Sequence, residues 1–121
     1  MTQVPRPKPR DLQDRTLAFA AGVRAFVRVL PRTLANVEDA RQAIRSSGSV
    51  GANHIEANEG ISKKDFVLRL RIARKEAKEC RYWLRLLDVR GKGDLEIQRQ
   101  DLVQECAELL AIPSAIINKC Q

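Results

Sequence analysis

The chain has 121 residues, 44% of them hydrophobic but only 4% aromatic, and 22 Lys and Arg against 15 Asp and Glu give it a net charge of +7. That length holds one domain around one core, and apolar positions dominated by Leu, Ile, Val and Ala suit packed helices better than a β-sandwich. The charge admits an acidic partner, nucleic acid first among them, without proving one.

Residues 1–10, MTQVPRPKPR, alternate proline with Arg6, Lys8 and Arg10. Proline removes backbone donors and favours extended chain, so this stretch is expected to be a flexible arm ahead of a bundle spanning 11–121. Its charge suits phosphate contact, and it suits a solubilising tail equally well.

The first helix is expected from Asp11 to Leu30. Leu12, Thr16, Phe19, Val23, Phe26 and Leu30 alternate steps of four and three and so share one face. Pro31 stops the helix, and Gly22 marks a place where another helix can come close. The second helix is expected to open at Asn36, with Asn36 as cap and Asp39 completing a capping-box-like pair. Val37, Ala40, Ile44, Gly48, Gly51 and Ile55 make its apolar seam. The run Ser46, Ser47, Gly48, Ser49, Gly51 and Ala52 has poor helix propensity, so only packing can hold it helical, and a loop is the competing reading. Arg45, Ser49, Asn53 and Glu56 form a polar stripe beside that seam. It fits a ligand or subunit row, and it fits a structural hydrogen-bond network better, because buried polar groups need partners anyway.

Ser62-Lys63-Lys64-Asp65 reads as a capping box opening the third helix. Phe66, Leu70, Ala73, Ala77, Cys80, Leu84 and Leu87 give the most regular seam in the chain, the alternation found in bundles and coiled coils. On one side of it lie Lys64, Arg71, Arg74, Lys78, Arg81 and Arg85. Residues 62–90 hold ten basic residues against four acidic ones, while residues 91–121 hold three against five. A row of cations along one helix can meet successive phosphates and release their counterions; ion pairing to neighbouring helices is the alternative. On the other side Ile72, Trp83 and Leu86 make a second apolar edge, beyond what one core needs, which suggests a subunit contact. Arg90-Gly91-Lys92-Gly93 is expected to end the helix by a glycine cap. Asp94 then caps a fourth helix with the seam Leu95, Leu102, Cys106, Leu109, Pro113, Ile116 and Cys120. A second row, Val103, Leu110 and Ile117, runs beside it, and Pro113 should kink the helix or split off its end. Four helices with short connections favour an all-α, antiparallel up-down-up-down bundle.

Chemistry is sparse. There is no glycine-rich phosphate loop, and His54 is the lone histidine, so no His-based triad is assembled. Cys80, Cys106 and Cys120 lack metal-type spacing and are expected to be buried free thiols in a reducing cytoplasm. Neither a metal nor a cofactor is expected, and the chain reads as a non-enzyme. Arg24 interrupts the longest apolar run and no signal-peptide pattern follows the start, so no membrane association is expected.

The succession Arg45-Ser46, Ser49-Val50-Gly51-Ala52-Asn53, Glu56, Asn58-Glu59-Gly60, Ser62-Lys63-Lys64-Asp65-Phe66, Lys75-Glu76-Ala77-Lys78-Glu79 and Tyr82-Trp83-Leu84 resembles the four-helix-bundle proteins encoded within intervening sequences of bacterial 23S ribosomal RNA genes. The resemblance covers about two-thirds of the chain. It implies a homo-oligomeric ring, commonly a pentamer. It also points to a relative, the accessory protein of diversity-generating retroelements, which works as a basic ring beside a reverse transcriptase and nucleic acid. Two functions follow. One is an oligomer that binds RNA or DNA through the basic row; the other is a protein-interaction scaffold.

Overall fold

A computed structural model describes residues 9–120, with side chains from residue 11. The arm therefore lies outside the described residues, save Pro9 and Arg10, which open the first helix. Four helices and no strand are found among the described residues: α1 (Pro9–Arg28), α2 (Leu34–Asn58), α3 (Lys63–Leu86) and α4 (Gly93–Cys120). Each helix touches its chain neighbours, α1 also meets α4, and the diagonal pairs stay apart.

The expected seam of α1 is the buried one: Leu12, Thr16, Phe19, Val23, Phe26 and Leu30 are all closed to solvent. In the main core Phe19, Val23, Phe26 and Leu30 cluster with Ala77, Cys80 and Leu84 of α3, Leu87 just beyond it, Ala43 and Val50 of α2, and Cys106 and Leu109 of α4. A smaller cluster gathers Ala57, Leu70 and Ile117. The expected α3 seam is buried from Leu70 onward, with Phe66 half-buried against the smaller cluster.

Individual contacts tie three of the neighbouring pairs. Thr16 meets Gly51 while Arg24 meets Ser47 and Gly48. Asn36 meets Asp88, Cys80 the Ala43 carbonyl, and Arg69 Asn53. Arg15 grips Glu105 through two hydrogen bonds of 2.7 and 2.8 Å and reaches Glu108 at 2.8 Å, whereas Gly22 lies against Leu102.

Several local expectations are corrected. Thr33, not Asn36, caps α2: its hydroxyl accepts from the Asn36 amide at 3.1 Å. Asn36 is instead buried, donating to the carbonyls of Pro31 (3.0 Å) and Asp88 (2.9 Å) and accepting from the Asp88 amide (2.9 Å). It fastens the α1–α2 connection to the α3–α4 connection. The buried row of α2 is also displaced by one position: Asn36, Ala43, Ser46, Ser47, Val50, Asn53, His54 and Ala57 face inward, while Val37 and Ile55 are exposed. The serines satisfy their hydroxyls locally, Ser46 on Gln42 and Ser47 on Ile44 carbonyls, so burial leaves no orphan there.

Ser62 caps α3 as expected, accepting from the Asp65 amide at 3.1 Å. The end of α3 is different. The helix stops at Leu86, Leu87 is extended, and Leu87 and Val89 plug the core before the chain turns. Arg90 and Gly91, with φ of 53° and 68°, make that turn rather than a helix cap. Lys92 closes it by donating to the Val89 carbonyl at 3.1 Å. Asp94 sits inside the first turn of α4 instead of capping it. Pro113 is accommodated within a continuous α4 that runs on to Cys120, and Ile117, rather than Ile116, is the buried residue beyond it. Cys80 and Cys106 are buried free thiols and Cys120 is half-buried.

The small residues of α2 do what close packing requires. A Cβ added at Gly51 would lie 2.9 Å from the Thr16 hydroxyl oxygen and 3.2 Å from its Cβ, so α1 and α2 touch almost backbone to side chain there. Gly22 is looser: its added Cβ would sit 3.4 Å from a Leu102 methyl.

Candidate nucleic-acid interface

α3 carries nine basic residues, Lys63, Lys64, Arg69, Arg71, Arg74, Lys75, Lys78, Arg81 and Arg85. Their surroundings divide them. On the α2 side Arg69 donates to the Asn53 side-chain oxygen at 3.5 Å, and Lys75 pairs with Glu79 at 3.8 Å. Arg45 of α2 completes that side, reaching Glu76 at 3.3 Å and Glu79 at 3.7 Å. The six residues of the other edge, Lys64, Arg71, Arg74, Lys78, Arg81 and Arg85, and Lys63 at the helix start, make no ion pair or hydrogen bond with any described residue. Lys64, Arg71, Lys78 and Arg85 are exposed, and Arg74 and Arg81 are half-buried. At 1.5 Å per residue the row from Lys64 to Arg85 spans about 30 Å, with a cation every turn or two.

The ends of the row differ. Lys63, Lys64, Asp65 and Arg71 line a hollow together with Val67 and Leu68. At the other end Arg85 borders a small polar hollow with Glu96, Arg99, Gln100 and Val103 of α4. Glu96 is bound to Arg99 at 2.6 Å, which holds its carboxylate below the usual range, and Arg99 also donates to the Leu87 carbonyl. The one acid lining that hollow is therefore already engaged.

The polar stripe of α2 resolves into a network that joins helices. Asn53 donates to the Ser49 carbonyl and hydroxyl at 2.8 and 3.1 Å and accepts from Arg69, and Arg45 crosses to α3. Glu56 is exposed and does not join. What the residue pattern missed was the bridging by Arg69, Glu76 and Glu79. The signal was available in α3, where Arg69, Glu76 and Glu79 flank the seam on its α2 side.

The second apolar edge is not uniform. Leu86 is 48% exposed, whereas Ile72 is half-buried and Trp83 packs against the main core. The Trp83 indole N–H is buried and finds no acceptor among the described residues, its ring standing edge-on to Tyr82. His54 is buried as well, its Nε2 unpartnered, and burial lowers its pKa. Burial and the neighbouring Cys80 thiol push the Cys106 thiol up. No group of three or more His, Cys, Asp or Glu among the described residues could hold a metal ion, and no described helix is long and apolar enough to cross a membrane.

Four helices in cyclic contact around a Leu-, Ala- and Cys-rich core define a small all-α protein with a cation-rich third helix. The chain belongs to the 23S rRNA-intervening sequence protein family, whose model matches residues 11–115. Among solved structures it is similar to a protein of unknown function from the S23 ribosomal protein family of Bacteroides thetaiotaomicron VPI-5482. The two are 30% identical with a TM-score of 0.76, over 91% of this chain and 97% of that one. No curated protein matches the chain.

Proposed function

We propose that this protein is a non-catalytic, cytoplasmic nucleic-acid-binding oligomer that grips RNA or DNA phosphates along Lys64, Arg71, Arg74, Lys78, Arg81 and Arg85. The observation that carries this is the division of cations on α3: those beside α2 have partners and those on the far edge have none. An unpaired row has its full charge available to a ligand, and each neutralised phosphate adds a counterion-release contribution. The contact progression between neighbouring helices supports an antiparallel up-down-up-down bundle, and family membership supports a ring, a pentamer by resemblance, with exposed Leu86 as a contact. No cofactor has a role in this reading.

Binding to a labelled RNA or DNA duplex, measured across a salt series, tests it. Six phosphate contacts give a slope of log K against log salt of about −5 on duplex DNA. The triple variant Arg74→Glu, Lys78→Glu, Arg81→Glu should cut the slope by about half and weaken binding at least tenfold, with helicity retained. Unchanged affinity in that variant removes the α3 edge from the interface. A salt-independent wild type that instead captures one defined protein partner, a reverse transcriptase included, favours the scaffold reading, for which the exposed Leu68, Tyr82 and Leu86 of α3 would serve.

A further inference from the structure

The outward side of α1 is apolar over most of its length. From Thr16 to Leu30 the chain has no acidic residue and only two charges, Arg24 and Arg28. The inward seam uses Phe19, Val23 and Phe26, yet the outward side is apolar as well: Leu17 is 69% exposed, Val29 57%, and Ala18, Ala21 and Ala25 are exposed between them. A helix that is apolar all round belongs inside something larger. Arg24 does not interrupt this side, because it folds over toward α2, donating to the Ala20 carbonyl at 3.0 Å and the Ser47 hydroxyl at 3.5 Å.

The outward residues are ordered. Asp14, Ala18, Ala21, Ala25 and Arg28 alternate steps of four and three, a second coiled-coil seam on the side of α1 opposite the core seam. Asp14 and Arg28 are exposed and make no ion pair or hydrogen bond with any described residue. They lie seven residues either side of Ala21, about 10 Å along the helix in each direction. A copy of the same helix laid antiparallel across Ala21 therefore sets Asp14 of each chain against Arg28 of the other. It also sets Leu17 against Ala25, and the alanines allow close approach. The seam is its own electrostatic complement only in that orientation; a parallel copy would place Asp14 on Asp14 and Arg28 on Arg28.

We infer that the outward seam of α1 is a twofold interface, occupied by a second copy of this chain running antiparallel with its axis at Ala21. Such a contact is isologous, the same patch on both subunits. It uses neither the α3 cations nor the Ile72, Trp83 and Leu86 edge. If a ring closes through that edge, the α1 contact joins rings in pairs; if not, it makes dimers. In both cases losing it halves the mass.

Light scattering on the full chain, free of nucleic acid, tests the charges. Asp14→Arg should halve the mass, and adding Arg28→Asp should restore it, with helicity by circular dichroism unchanged because both sites are exposed. Cross-linking tests the axis. In a Cys120→Ser background, Ala21→Cys should form a covalent dimer under mild oxidation at least tenfold faster than Ala25→Cys. Only the former brings identical positions together within disulfide reach. A monomeric wild type, a mass unmoved by Asp14→Arg, a double variant that stays dissociated, or equal cross-linking at positions 21 and 25 overturns the proposal. None of these outcomes bears on phosphate binding by α3, so the two readings fail separately.

Discussion

α2 and α3 lie side by side and are of nearly equal length, yet they are built on opposite principles. The buried row of α3 is Leu70, Ala73, Ala77, Cys80 and Leu84, with one buried carboxylate, Glu76, at its margin. The buried row of α2 includes Asn36, Ser46, Ser47, Asn53 and His54, with only Ala43, Val50 and Ala57 apolar. α3 is held by area removed from water; α2 is held by close approach and by hydrogen bonds closed within its own turns or across to α3. Asn36, Ser46, Ser47 and Asn53 each find a near partner, whereas the His54 Nε2 does not, and the two helices should respond differently to the same kind of insult.

The sharpest way to break the comparison is in α3. Leu84 is fully buried among residues of the main core, and Leu84→Ala should cost about 3 kcal/mol, from lost transfer energy and the cavity left behind. Urea denaturation would read this as a large fall in midpoint with an unchanged slope. In α2 the critical insult is an added methyl group. Gly51→Ala gains up to about 1 kcal/mol of helix propensity but drives Cβ into Thr16, an overpacking cost of about 1–3 kcal/mol. The expected net loss is about 1 kcal/mol. Gly22→Ala, facing a flexible Leu102 methyl, should leave the melting temperature level or raise it. Equal effects of the two glycine variants would mean that α1 and α2 are no closer than α1 and α4.

The smallest expected effect is a pH dependence that belongs to α2 alone. Burial lowers the His54 pKa, so the unfolded chain takes up a proton at a higher pH than the folded one. Stability is then fully present above the ordinary histidine value of about 6.5 and declines as pH falls from there toward the depressed folded value. His54→Gln should flatten that part of the stability–pH curve. A wild-type curve that is already flat from pH 7 to 5 contradicts a buried neutral imidazole.

The contrast also explains what could be seen in the residues alone. The seams of α1 and α3 are legible because their buried positions are almost all apolar and alternate four and three without a break. α2 has the same period, but apolar Val37 and Ile55 sit on its outside and Ser47, Asn53 and His54 on its inside, so hydrophobicity points one position astray. The helix itself was legible, since small residues that disfavour an isolated helix favour a tightly packed one. Asn36 is itself an ordinary cap residue, and only its burial against the Asp88 backbone leaves the cap to Thr33. The end of α3 was misplaced because Gly91 looks like a helix terminator, while burial of Leu87 and Val89 pulls the chain out of the helix earlier. For the candidate site, spacing alone put six cations on one edge of α3. It could not say that Arg69, equally basic, hydrogen-bonds to Asn53 or that Lys75 pairs with Glu79.

Asn36 gives the molecule a mechanical polarity. Three hydrogen bonds from one buried side chain rivet two connections whose residues lie 52 positions apart in the chain. The connection between α2 and α3 has no comparable rivet: Gly60 bonds back only to the Ala57 carbonyl, and Ile61 beside it is 96% exposed. The bundle is therefore tied across helices at the Asn36 end and by local hydrogen bonds at the Gly60 end. Lys64 opens the cationic edge beside the Gly60 end, and Arg85 closes it beside the Asn36 end.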